Sequence, residues 1–115
     1  MYVRVVQASV KPKRLLEFKH AVKNHDRPAI ERLPGFVDEV ELYSKNHFLS
    51  ITFWETEATA EHYARTVFPR MAARSEPLVH DTTLRALPYE AAYDTTHEAA
   101  KETEAVIART LAAAA

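Results

Sequence analysis

The sequence predicts an α+β domain of ferredoxin-like order, strand–helix–strand–strand–helix–strand, built on a four-stranded antiparallel sheet. Three observations lead there. Two alternating apolar runs, 36–43 and 47–54, are separated only by Ser44, Lys45 and Asn46, the spacing of an antiparallel hairpin. A stretch of helical period lies on each side of that hairpin. A β-branched run opens the chain, and a second apolar run follows the second helical stretch.

Residues 2–10 (YVRVVQASV) form the first expected strand, bounded by Pro12. Tyr2, Arg4, Val6 and Ala8 share one face, and Val3, Val5, Gln7 and Ser9 share the other. Residues 13–33 read as helical, with Leu15, Phe18, Val22, Ala29 and Leu33 recurring on one line that also takes in His25. Pro28 disfavours a helical Arg27, so a break or kink is expected there, with Asp26 as the cap of a short second piece. Pro34-Gly35 ends the stretch.

In the hairpin, alternation places Phe36, Val40 and Leu42 on one face of the second strand. In the third, Leu49, Ile51 and Phe53 oppose Phe48, Ser50, Thr52 and Trp54. Thr56 is the expected N-cap of the second helix, with Glu57 in its first turn. Ala60, Tyr63, Ala64, Val67, Phe68 and Met71 then recur with helical period. Pro69 is expected to interrupt that helix near Phe68, Pro77 to end it, and residues 78–87 to form a fourth strand before Pro88. Val106, Ile107 and Leu111 give residues 96–111 a thin apolar stripe. The domain is expected to span residues 1–88, with 89–115 a helical extension that packs on the body or a partner, or a frayed tail.

Composition excludes several kinds of function. The 115 residues suit one domain, and 47% of them are apolar. Lys plus Arg number 15 against 16 Asp plus Glu, so the phosphate-binding surface of a nucleic-acid partner is not expected. The cysteine count is zero, which removes thiol nucleophiles and Cys-ligated metals. With Gly35 the single glycine, neither a P-loop nor a dinucleotide fingerprint can form. No segment approaches the roughly 18 apolar residues of a membrane span, so no membrane partner is expected and the cytoplasm is the default compartment. Lys11, Lys13 and Arg14 read as a solvated helix end, and Asp38, Glu39 and Glu41 as the wet part of strand two. HExxH is absent; no metal site is expected.

Two helices cover one face of a four-stranded sheet. The third strand carries large side chains on both faces, so a homodimer with sheets packed face to face is the expected way to keep the second face out of water.

Two motifs are specific: residues 33–36 (LPGF) opening the second strand, and residues 51–63 (ITFWETEATAEHY). Pro34-Gly35-Phe36, Trp54-Glu55-Thr56 and an aromatic, Tyr63, nine positions after the tryptophan resemble the antibiotic-biosynthesis-monooxygenase superfamily of dimeric α+β barrels. The resemblance covers about residues 1–88. It implies the fold, and an activity drawn from a group that includes cofactor-free oxygenases of aromatic polyketides, haem-degrading enzymes, isomerases and proteins without known activity. The haem-degrading branch uses an Asn in strand one, a Trp in the second helix and a ligand His beyond it. Here those places hold Gln7, Tyr63 and Ala72 or Ala73, while His62 points off the expected face, so haem degradation is not expected.

The oxygenase branch implies a small phenolic or quinol-type substrate and no cofactor, since an electron-rich aromatic supplies its own electrons. The candidate catalytic residues are Gln7, Tyr63 and, as a base, His25; the candidate substrate-binding residues are Phe53, Trp54, Phe68, Met71 and Arg70, with Arg85 also available. The expected pocket lies between sheet and helices. Each has a structural alternative: Trp54 as dimer core, Tyr63 as helix core, Gln7 as a hydrogen-bonded anchor, His25 as a structural histidine. The competing function is a non-catalytic module of the same fold that binds a small aromatic molecule.

Overall fold

The structure is a computed structural model and describes residues 1–80, 85–90 and 108–109. Four strands, β1 (Tyr2–Ser9), β2 (Phe36–Ser44), β3 (His47–Trp54) and β4 (Arg85–Glu90), form one antiparallel sheet in the order β2-β3-β1-β4. The helices α1 (Leu15–Ala21), α2 (Arg27–Glu31) and α3 (Glu57–Ser75) complete the ferredoxin-like order. No described helix is long and apolar enough to cross a membrane.

The connection between β1 and β2 stays helical past Pro28. A π-helical turn, Val22–Asp26, joins α1 to α2, and Arg27 keeps helical angles (φ −59°, ψ −49°). The expected break is therefore absent. The wide turn restarts the helix so that Pro28 falls in the first turn of α2, where its missing N–H leaves no bond unmade. Asp26 makes no cap bond either; its side chain turns inward.

Pro69 does not interrupt α3, which runs from Glu57 to Ser75. The proline lies on the exposed side, where water reaches the carbonyl that it leaves without a donor. Neighbouring side chains serve adjacent carbonyls: Thr66 Oγ1 donates to the His62 carbonyl (2.7 Å) and Arg70 Nε to that of Thr66 (3.2 Å). At the start of α3 the expected cap is present. Thr59 N–H donates to Thr56 Oγ1 (3.1 Å) and Thr56 N–H to Thr59 Oγ1 (3.2 Å).

The fourth strand lies later than expected. Leu78 ends a 3₁₀ turn, Val79 bridges Val10, and β4 runs over Arg85–Glu90, past the expected boundary at residue 88. Residues 81–84 lie outside the description. Pro88 is accommodated because β4 is an edge strand, which need not donate on its outer side. Of the expected C-terminal helix, only Ala108 and Arg109 are described; both are helical and exposed.

The two specific motifs meet each other. Gly35 has φ +79°, and a Cβ there would lie 2.4 Å from Thr59 Oγ1, so both the turn and its contact with the α3 cap require glycine. Glu55 N–H donates to the Gly35 carbonyl at 2.9 Å, and the Phe36 ring stands edge-on to Trp54.

A β-bulge between Phe36 and Asp38 corrects the face assignment in β2. Phe36 packs with Trp54 on the helix face, whereas Val40 and Leu42 join Val3, Val5, Leu49, Ile51 and Phe53 on the opposite face. The extra residue shifts the alternation by one. Those last five side chains are 0–4% exposed within the single chain. That part of the second face is thus not open apolar surface; Met1, Val37, Val40 and Leu42 at its margin are half-buried.

Candidate active site

Opposite residues in a ladder share a face. The register Arg4↔Thr52, Val6↔Ser50, Glu39↔Thr52 and Glu41↔Ser50 therefore gathers these side chains on the helix side of the sheet. Trp54 lies there too, completely buried and stacked on Tyr63 of α3 with ring centroids 5.0 Å apart. Its indole N–H donates to Thr52 Oγ1 (2.8 Å), which donates to the Arg4 carbonyl (3.4 Å). Trp54 is thus buried within a single chain.

Between this face and the helices lies a cavity of about 20 Å³, room for one water-sized occupant. Phe48 of β3 and Phe68 and Met71 of α3 supply its apolar walls. Three polar residues, Asp26, Glu39 and Ser50, line it as well. Asp26 is 4% exposed, and its carboxylate accepts a hydrogen bond from Arg74 Nη1 at 2.8 Å. Burial raises its pKa to about 6, against the opposing pull of Arg74. Burial, reinforced by Glu41, raises Glu39 further, to about 8. Glu41 itself is held by the Arg27 guanidinium.

Two buried hydroxyls, Ser50 Oγ and Tyr63 Oη, have no hydrogen-bond partner among the described residues. Ser50 acts on the Glu39 carboxyl from nearby without a hydrogen bond of normal geometry. Burial pushes the Tyr63 phenol up, and the charges of Glu39 and Asp26 add to that. Among the described residues no three metal-ligating side chains of His, Cys, Asp or Glu come together.

The residues expected to share one pocket are divided between the faces. Phe68 and Met71 line the cavity, with Tyr63 and Trp54 in the same core. Gln7 pairs with Leu49 and Phe53 with Val3, so both lie on the opposite face; that follows from the alternation of β1 and β3. His25 is exposed on the π turn, and the next residue, Asp26, points inward in its place. Arg70 is exposed on α3. The side chain of Arg85 lies outside the description. Asp26, Glu39 and Ser50 were not among the expected site residues. The signal for Glu39 was its phase: Val40 and Leu42 agree with each other, which sends Glu39 and Glu41 to the opposite side.

No protein-family model and no curated protein matches the chain. Solved structures do. A candidate antibiotic biosynthesis monooxygenase from Nitrosomonas europaea is 24% identical, with a TM-score of 0.66 over 81% of this chain and 100% of that one. SnoaB, a cofactor-independent oxygenase from Streptomyces nogalater, is 19% identical, with a TM-score of 0.65 over 82% of this chain and 95% of that one. A monooxygenase of Streptomyces coelicolor, solved with nanaomycin D, is 17% identical, with a TM-score of 0.62 over 77% and 85%. The chain therefore has the fold of the antibiotic-biosynthesis-monooxygenase type, in agreement with the motifs around Gly35 and Trp54. At these identities the likeness speaks for the fold.

Proposed function

We propose that this chain is a cofactor-independent monooxygenase of a small phenolic or quinol-type substrate, with Asp26 as the proton acceptor. The observation that supports it is a buried carboxyl group, with a pKa of about 6, opening on an apolar-walled cavity. Such a group is ionised at neutral pH yet basic enough to take a proton, in a place where bulk water is excluded. The atoms balance for an activated ring CH₂. Asp26 takes one of its protons, and the resulting carbanion gives electrons to dioxygen. One oxygen atom becomes the new carbonyl, and the other leaves as water with the two substrate hydrogens. Tyr63, Phe68 and Met71 are the substrate-side residues of this reading.

The test is oxygen consumption by metal-stripped protein against dihydroxynaphthalenes, anthrones and quinols. Uptake above background, with a quinone product, is the expected result. No uptake together with saturable binding would favour the second reading, a non-catalytic binding module. A cavity of about 20 Å³, far below the several hundred Å³ of ring-sized sites, supports that alternative. Pairing with a second copy belongs to the same proposal, supported by the half-buried margin Met1, Val37, Val40 and Leu42 beside edge strand β2. Light scattering should then return twice the chain mass, and a monomer at micromolar concentration would end it.

A further inference from the structure

Ser50 is the one cavity-lining side chain whose buried polar atom lacks a hydrogen-bond partner among the described residues, and it is only 3% exposed. An unmade bond at such a depth costs ~1–3 kcal/mol, and among the described residues only the Glu39 carboxyl acts on this hydroxyl, without a bond of normal geometry, so it is open to a ligand oxygen. Beside it stands the Glu39 carboxyl, and Phe48 and Phe68 bound the same space with ring surface. We propose that Ser50 and Glu39 form a subsite that donates hydrogen bonds to an uncharged oxygen of an aromatic ligand, a ketone or quinone carbonyl, and rejects the corresponding anion.

The electrostatics set the sign. The charged and titratable groups that face Glu39 are Glu41 on its own strand, Arg27 and Glu31 of α2, Asp26 at the end of the π turn, and Tyr63 of α3; the buried Arg4 of β1 lies on the same side of the sheet, outside the cavity lining, with its guanidinium on the Val3 carbonyl (3.3 Å). Arg27 is engaged by Glu41, and Arg74 of α3 by Asp26. An incoming carboxylate or phosphate would thus meet carboxyl groups, with both of these guanidinium groups already taken. With its pKa at about 8, Glu39 carries its proton at pH 7 and can donate to a carbonyl. Once ionised it can only accept, and the carbonyl loses a donor. A ring enters by displacing Phe68 and Met71, side chains at the helix side of the cavity.

This inference rests on the small-aromatic-ligand reading but not on catalysis, so its test is a binding test. Acetophenone and benzoate have nearly the same shape; one carries a neutral carbonyl and the other a carboxylate. Calorimetric titration of the whole chain at pH 7 should show acetophenone binding at least about tenfold tighter than benzoate. Acetophenone affinity should fall about tenfold between pH 7 and pH 9.5. Ser50→Ala should weaken it about tenfold at pH 7. Glu39→Gln, whose amide donates at every pH, should bind acetophenone equally at both pH values. Whatever pH dependence that variant retains belongs to the neighbouring groups. Benzoate binding as tight as acetophenone, no acetophenone binding, or a Glu39→Gln variant with the full pH dependence would each overturn the subsite. Oxygen uptake without acetophenone binding would sink this subsite and leave the oxygenase reading intact; acetophenone binding without uptake on any substrate would do the reverse.

Discussion

Strands β1 and β3 present Val3, Val5, Leu49, Ile51 and Phe53 to one side of the sheet and Arg4, Ser50, Thr52 and Trp54 to the other. The buried part of the first side is hydrocarbon, with Gln7 half-buried at its end. The second is just as deeply buried, yet it holds a guanidinium, two hydroxyls and an indole, joined by Glu39 from β2 and Asp26 from the π turn. Burial alone stabilises the first face. On the second, burial opposes the charged forms of Asp26 and Glu39 and leaves the hydroxyl of Ser50, and that of Tyr63 on α3 above it, without a partner among the described residues. A fold carries such costs where the groups serve a ligand, and that contrast is why the proposal places the chemistry under the helices.

The sharpest way to break the comparison is to hollow the hydrocarbon face. Phe53 is completely buried there, so Phe53→Ala should lower unfolding free energy by about 3–5 kcal/mol in urea denaturation. On the polar face, Asp26→Asn should lower oxygen uptake by about 100-fold with little loss of stability, the scale of a lost general base.

A third test uses pH. The native state holds Glu39 at about 8 and Asp26 at about 6, above their ordinary values of 4.5 and 3.8. Between those limits the folded chain binds more protons than the unfolded one, so stability should fall as pH rises from about 4 to about 8. Glu39→Gln should remove the larger share of that fall. It should melt as the parent does near pH 4 and be more stable near pH 8.5 by about 2 kcal/mol, a figure reduced for the partial exposure of Glu39. The smallest effect is expected at the helix start: Thr56→Ala should cost about 1 kcal/mol in thermal denaturation, through the lost capping box.

Much of the fold was legible because its local signals agree. The alternation of β3, the short link 44–46 and the Thr56 cap all point to the same hairpin followed by a helix. The Pro34-Gly35 turn was legible too, and the structure adds its reason, contact with Thr59. What misled was punctuation read without tertiary context. Pro28 and Pro69 looked like helix breaks, but the π turn re-phases one and solvent exposure tolerates the other. Pro88 looked like a strand end, and an edge strand took it in.

The site was less legible, for two physical reasons. A bulge at Phe36–Asp38 changes the face of β2 after the first residue, so Phe36 gave the wrong phase for Glu39. The π turn exposes His25 and buries Asp26, where helical periodicity placed the histidine on the apolar line. Gln7 and Tyr63 were joined in one pocket although strand alternation alone puts Gln7 with Val3 and Val5. Tyr63, Phe68 and Met71, on a regular stretch of α3, came out on the face their period predicts.

The central claim is that the chemistry belongs to the helix face. It is tested most directly by oxygen uptake of two variants, Asp26→Asn and Gln7→Ala, after thermal melting has shown both to be folded. The account predicts that Asp26→Asn loses uptake by about 100-fold while Gln7→Ala, on the opposite face, stays within about twofold of the parent. Loss of uptake in Gln7→Ala with Asp26→Asn unaffected would place the reaction on the other side of the sheet and contradict it.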